Sequence, residues 1–268
     1  MTSMLRAFAG RPIVRRARAN LRLFRWYAWP PRLTRLQYLS RRLTHRWKLV
    51  HQRTSAVSGL LAVWDLGRER RLVFGRSRTR GTQSIIHMRG SWAPLRREFW
   101  GQALLSPAHI TPSPRVLILG LGGGTMVHLT HQIVKPSKTV VVELDPDVVD
   151  IARRFMGIDE LPDLEIIVGD ALVVVKELLD GGTSFDLIID DIFGPGLPDA
   201  VDPRSFVESL VALCSPQATM VFNRFEKLSS PLEALLGEHF ESVQRKEVNE
   251  VWRNDLVIAG SKRVPPAE

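Results

Sequence analysis

Apolar and polar positions follow two different rhythms along this chain. From Ala56 to Met88 they come in short runs, AVSGLLAVWDL, RRLVFG and TQSIIHM, separated by charged or glycine-bearing turns, which predicts a small antiparallel sheet. From Arg115 onward the runs become longer and more apolar or β-branched. Val116 to Leu119 is the first, Thr139 to Leu144 the second, and two more end at Gly169 and at Asp190, as expected of parallel strands covered on both faces. Helices are predicted after the glycines at 120–124, from near Leu172, over Pro203 to Leu213 and around Leu232 to Leu236. Ala218 to Phe222 predicts a fifth parallel strand, and FESVQRKEV with VWRNDLVIAG predicts an antiparallel hairpin turning near Asn249 and Glu250. Ser91 to Leu105 is predicted helical, with Trp92, Leu95, Phe99 and Leu104 on one face, and the prolines of SPAHITPSP mark a linker.

The expected class is therefore α/β: a Rossmann-like sheet with a closing antiparallel hairpin, preceded by a small N-terminal β-domain. The expected organisation is an arm over residues 1–55, the β-domain with its connecting helix over 56–105 and a linker over 106–114. A nucleoside-binding domain over 115–262 and a fraying tail over 263–268 complete it.

Within that organisation the stretch RVLILGLGGGTMVHLTHQIVKPSKTVVVELD reads as strand, glycine turn, helix, strand and terminal carboxylate. Gly120, Gly122, Gly123 and Gly124 let the backbone turn sharply beneath a ligand, and Glu143 and Asp145 stand about 20 residues further on, where nucleotide folds hold a ribose. The dinucleotide fingerprint is incomplete, because Thr125 occupies the place of its third glycine, and no Gly-Lys-Ser/Thr closes a phosphate loop. A ligand held by ribose and base is left as the favoured choice, S-adenosylmethionine or a derivative being the commonest. Asp170 and Ala171 lie at a strand end, where the Asp can accept from an adenine amino group, cap the helix that follows, or do both. Of Asp190 and Asp191, adjacent on a strand, one at most faces the crevice outside the strand ends.

The run VLILGLGGG, then VVELDPDVVDIARRF, GDA and FDLIIDDIFGP resembles the spermidine synthase family, the aminopropyltransferase branch of the class I methyltransferase fold. The upstream LVFGRSRTRGTQSIIHMRG and RREFWGQALLSP are similar to that family's N-terminal β-domain and its entry into the catalytic domain. The resemblance implies Gln83 and Glu143 as nucleoside contacts, Asp170 as the adenine contact and Asp191 as the catalytic aspartate that takes a proton from an attacking amine. It also implies S-adenosylmethionine or its decarboxylated form as the cofactor, and a small-molecule acceptor, an amine in the family.

Three departures from the family pattern stand out. Thr125 replaces an Asp in the glycine turn, Gly194 replaces a second Asp after Asp191, and Trp100-Gly101-Gln102 replaces Tyr-His-Glu. A carboxylate–ammonium contact at 4 Å is worth about 4 kcal/mol at an effective dielectric of 20 before desolvation, so losing several weakens a polyamine site severely. An uncharged Thr125 beside exposed backbone N–H groups is expected to accept the carboxylate of intact S-adenosylmethionine. The residues thus point to a methyltransferase, with polyamine aminopropyl transfer and a non-catalytic scaffold as the alternatives.

Composition changes this picture at one end only. Residues 1–53 hold 14 of the 37 Lys and Arg and none of the 28 Asp and Glu, so the net charge of +9 resides there and the remainder is acidic by 5. Arg interleaved with Trp26, Tyr27 and Trp29, and Leu33, Leu36, Leu39 and Leu43 at helical spacing, leave open a solvated extension, a transit peptide, an anionic membrane surface or nucleic acid as partner. The single Cys214 is expected to be a buried thiol, and the scattered histidines predict no metal site. No apolar run reaches the roughly 18 residues of a membrane span. A cytoplasmic location and a homodimer are further expectations.

Overall fold

The computed structural model describes residues 47–76, 81–192, 204–249 and 254–263. The readings placed on the arm before residue 47 lie outside the described residues.

Four strands make the first sheet, an antiparallel meander: β1 (Lys48–Ser55), β2 (Gly59–Leu66), β3 (Glu69–Phe74) and β4 (Thr82–His87). β1 corrects the expected arm boundary at residue 55, because KLVHQRTS pairs along its length with β2. Its apolar content is too low to announce a strand, and the partner strand supplies the pairing. The expected helix over Ser91 to Leu105 is also corrected. Pro94 starts a 3-10 turn at Leu95–Arg97, Glu98 is extended (ψ 171°), and only Phe99–Leu105 (α1) is helical. A Cβ on Gly101 would collide with the Arg96 backbone, so the turn folds back onto α1 only with glycine there.

The second sheet, seven-stranded among the described residues, runs β10-β11-β9-β8-β5-β6-β7. Its parallel members are β5 (Arg115–Leu119), β6 (Lys138–Glu143), β7 (Leu164–Val168), β8 (Phe185–Asp190) and β9 (Cys214–Phe225). The predicted hairpin is β10 (Phe240–Asn249) with β11 (Asn254–Lys262), antiparallel to β9. Ser261 and Lys262 are therefore strand, and the Arg263 N–H donates to the His239 carbonyl, so the expected fraying does not begin at residue 263. Helices α2 (Thr125–Ile133), α3 (Pro146–Phe155), α4 (Ala171–Asp180), α5 (Arg204–Ala212) and α6 (Glu226–His239) cover the sheet. Leu117, Leu119, Ile188 and Phe222 of the strands pack with Val175 of α4 and Phe206 of α5 in the main core, which includes the buried Cys214. Among the described residues no helix is long and apolar enough to cross a membrane.

The chain leaves β5 through β6 to the edge strand β7 and then returns to β8 on the other side of β5. That reversal opens a crevice at the carboxyl ends of β5 and β8, the place where open α/β sheets bind ligands.

The small sheet is fastened to this crevice by side-chain hydrogen bonds. The Gly123 N–H donates to Ser84 Oγ at 2.6 Å, and Thr125 Oγ1 accepts from the Ile85 N–H and donates to the Ile85 carbonyl, both at 2.9 Å. Ser55 Oγ at the end of β1 donates to Asp145 Oδ2 at 2.6 Å. Leu61, Leu72 and Ile86 of the sheet meet Val148, Ile151 and Met156 around α3 in a second core.

The Thr125 bolt generates a stability prediction. Thr125→Val keeps the shape and deletes both hydrogen bonds, leaving the buried Ile85 N–H and carbonyl without that partner, at a cost of about 1–3 kcal/mol. Urea unfolding should show a lower midpoint; an unchanged midpoint would show that the bolt contributes nothing.

Candidate nucleoside-binding and transfer site

The glycine turn is the floor of the crevice. Gly120, Gly122 and Gly124 have φ of 91°, 51° and 80°, a region that favours glycine. A Cβ on Gly120 would stand 2.7 Å from the Asp191 carbonyl oxygen, so glycine here permits the turn to lie directly against the end of β8.

Every N–H from 120 to 124 has an acceptor inside the protein. Gly120 donates to the Val142 carbonyl, Gly124 to that of Leu121, and Gly123 to Ser84. The N–H groups of Leu121 and Gly122 converge on Glu143 Oε2 at 2.9 and 3.2 Å, while Oε1 accepts from the Asp145 N–H at 3.0 Å. The expectation of exposed N–H groups waiting for a ligand carboxylate is thus corrected: Glu143 and Ser84 already fill that role. Three accepted bonds leave Glu143 about one of its four lone-pair sites.

Two of the residues read as cofactor contacts are structural. Thr125 is 1% exposed, and its hydroxyl is committed to Ile85. Asp145, also 1% exposed, caps α3 by accepting from the Asp147 N–H and receives the Ser55 hydroxyl. Burial pushes its carboxyl up, but hydrogen bonds from Ser55, Ser58 and Asp147 outweigh burial and hold it below the usual carboxylate range. Ile85 and Ser55 lie 40 and 90 residues away from them, so local spacing alone does not distinguish these roles from ligand contacts.

Asp170 stands exposed at the end of β7 and caps α4, its Oδ1 accepting from the Leu172 N–H at 2.9 Å. Ala171 is the first residue of that helix. The sequence reading missed the exposed apolar residues near these strand and helix ends. Leu144, Val168, Leu172 and Val173 are 48–55% exposed, and the register pairs Glu143 with Val168. Large apolar side chains left in water beside two carboxylates suit a flat, partly apolar group with polar edges. The available signal was the apolar first turn of α4, where an exposed helix start ordinarily carries polar residues.

Gln83 sits where the β3 to β4 register slips, Leu72 facing Ser84 and Val73 facing Thr82. Such a bulge turns its residue out of the ladder and is frequent beside active sites. The half-buried Gln83 has its carbonyl 3.9 Å from where a Gly122 Cβ would be, so it borders the turn.

The paired aspartates divide as strand geometry requires. Asp190 is 1% exposed, accepts the Arg224 guanidinium at 2.6 Å and faces away from its neighbour. Asp191 is partly buried, donates its N–H to the Leu119 carbonyl, and its Oδ1 accepts Asn223 Nδ2 at 2.8 Å. Burial drives its carboxyl up to about 7, the Asn223 bond opposes this, the Asp190 charge adds to it and Arg224 offsets that charge. Asn223 and Arg224 were not singled out from sequence, although two polar residues ending an apolar parallel strand were a usable signal.

In α1, Trp100 is buried against Phe99, their rings 4.4 Å apart. Gln102 Oε1 accepts Lys246 Nζ of β10 at 2.7 Å, and Ser106 Oγ accepts it at 2.9 Å. The register runs Lys246 to Leu256 to Asn223 across the sheet, so Lys246 and the Asn223–Asp191 pair share a face. Gly194 lies outside the described residues.

Sheet order, glycine turn, strand-end carboxylates and closing hairpin together define a Rossmann-like fold of the class I methyltransferase type, shared with solved methyltransferase-fold structures. Residues 105–233 match the family model described as the Spermine/spermidine synthase domain, so the resemblance read from the sequence motifs holds over that part of the chain. A polyamine aminopropyltransferase of Vibrio vulnificus is 33% identical over 155 residues, 57% of this chain and 50% of that protein. The eEF1A lysine and N-terminal methyltransferase of Xenopus laevis is 29% identical over 120 residues, 41% of this chain and 17% of that protein. This chain therefore spans about half or less of the length of these curated relatives. A solved probable spermidine synthase from Corynebacterium glutamicum shares the fold at TM-score 0.58 and 21% identity, covering 80% of this chain and 79% of that one.

The Asp190–Arg224 pair makes a second stability prediction. Asp190→Asn removes the charge opposite a buried guanidinium and should cost about 3–5 kcal/mol, read as a lower urea midpoint. A midpoint within error of wild type would show that other groups carry Arg224.

Proposed function

We propose that the protein is an S-adenosylmethionine-dependent transferase of the spermidine synthase-like group and that the group it transfers is methyl. The nucleoside would lie over the glycine turn, its ribose at Glu143 and Gln83, its base on Leu144, Val168, Leu172 and Val173 with Asp170 at the edge. Burying that apolar patch supplies the driving force, at about 25 cal/mol per Å² covered, and the carboxylates supply orientation. Asp170 can serve ligand and helix together because its cap uses one oxygen only.

The observation that carries the choice of methyl over aminopropyl is the Gln102–Lys246 contact. Where the family pattern has a carboxylate to hold an ammonium, this chain has an amide already occupied by its own ammonium. A polyamine would meet like charge there. Thr125 likewise offers no carboxylate to the amine end of a decarboxylated donor, and none to repel the carboxylate of the intact one. The curated methyltransferase relative is in keeping with this reading. Polyamine aminopropyl transfer remains the second reading, favoured by the polyamine aminopropyltransferase relatives.

In the proposed reaction the acceptor attacks the methyl carbon in line with the breaking carbon–sulfur bond. The electron pair of that bond goes to sulfur, which becomes a neutral thioether, and Asp191 takes the proton that the acceptor loses.

Calorimetric titration separates the donors: S-adenosylmethionine should bind more tightly than its decarboxylated form, and the reverse order would favour aminopropyl transfer. Glu143→Ala should weaken donor binding roughly a hundredfold, through loss of its remaining acceptor site for the ribose and of the clasp on Leu121 and Gly122. Donor affinity unchanged in that variant would refute the site. Asp191→Asn should retain donor binding while losing turnover, measured as S-adenosylhomocysteine released with a panel of small amines; full turnover would remove Asp191 from the reaction.

A further inference from the structure

Asn223 is a buried amide near the end of β9, directly after the apolar run Met220 to Phe222. It is 2% exposed, and a buried side-chain amide requires partners to offset its desolvation. One partner is Asp191 Oδ1 at 2.8 Å, the carboxylate beside the glycine turn. Its strand neighbour Arg224 reaches the other way, to Asp190 Oδ2 at 2.6 Å. Two consecutive residues of β9 thus hold two consecutive carboxylates, Asp190 at the end of β8 and Asp191 just beyond it, the cation on the buried one and the neutral amide on the one beside the glycine turn.

This division matters chemically. A guanidinium on Asp191 would hold it ionised but too weakly basic to take a proton from an acceptor, whereas an amide orients it at modest cost in basicity. We propose that Asn223 is the positioning residue of Asp191: it fixes Oδ1 so that Oδ2 is the oxygen turned to the acceptor, while Arg224 confines the charge of Asp190 to the opposite face. The inference rests on the reading of Asp191 as the proton acceptor of a transferase, but its geometry can be tested without turnover.

The charges acting on Asp191 are Asp190 on its own strand, which raises its proton affinity, and Arg224 on β9, which lowers it; burial and the Asn223 bond are the remaining influences. Removing the amide takes away a bond that favours the ionised form, so the midpoint must move up. The test is a carbon-13 carboxyl titration of the full-length protein, with the Asp191 signal assigned by its disappearance in Asp191→Asn. Wild type should titrate near 7. In Asn223→Leu the midpoint should rise by about one pH unit, the equivalent of one hydrogen bond, with S-adenosylmethionine affinity by calorimetry within about twofold of wild type.

Asn223→Gln, which retains an amide, should bring the midpoint back towards wild type. Should the leucine variant fail to fold, Asn223→Ser, whose hydroxyl is too short to replace the amide, takes its place with the same expected shift. An Asp191 midpoint that stays put in a folded variant, or that shifts equally in the glutamine variant, overturns the assignment. A shift in the leucine variant alone, found in a protein that transfers nothing to any acceptor tried, would support the positioning and count against the transferase reading only.

Discussion

The organisation of the molecule depends on the need of a tight glycine turn to find acceptors for its backbone N–H groups. A turn built this way exposes several donors at once, and a buried donor without an acceptor costs more than a good hydrogen bond returns. Here the acceptors come from two sides. Glu143 arrives at the end of the neighbouring parallel strand and takes two of the groups, and Ser84 arrives from the small antiparallel sheet and takes a third. The small sheet is therefore part of the floor of the crevice. Thr125 and Asp145, polar and almost wholly buried, continue the same seam on either side.

That arrangement explains which parts of the site were legible in the sequence. The parallel strands, the glycine turn and the closing hairpin follow from apolar runs and local backbone freedom, which are properties of neighbouring residues. Asp190 and Asp191 could be told apart in principle by strand alternation, and the structure divides them accordingly. Thr125 and Asp145 could not be placed. Each occupies a position where a ligand contact and a structural contact have the same local sequence, and the deciding partners, Ile85 and Ser55, are 40 and 90 residues away. β1 was hidden for a related reason, its hydrogen bonds being satisfied by β2 without an apolar pattern of its own. The exposed patch around Leu172 ran against the assumption that apolar residues at a helix start are covered.

The departures from the family pattern also have structural reasons of their own. Gly101 allows the 3-10 turn to close over α1, and Gln102 receives Lys246, tying that helix to the outermost strand of the hairpin. A carboxylate at 102 would hold Lys246 at least as well, so the amide weakens local attraction in exchange for lower negative charge on that face. Beside it, Asn223 again gives Asp191 a neutral partner where a cation stands one residue away. On this face of the sheet the chain uses amides where charges were available.

The shared hold on the glycine turn links two equilibria. Glu143 belongs to the large sheet and Ser84, with the neighbouring Gln83, to the small one, yet both press on the same five residues. A ligand that engages Gln83 and Glu143 together gains its full affinity only when the two sheets are docked, and by reciprocity its binding strengthens the docking by the same free energy. The loosening of the seam and the emptying of the crevice are then one cooperative event, in which occupancy at the strand ends is felt as rigidity in a meander that begins at Lys48.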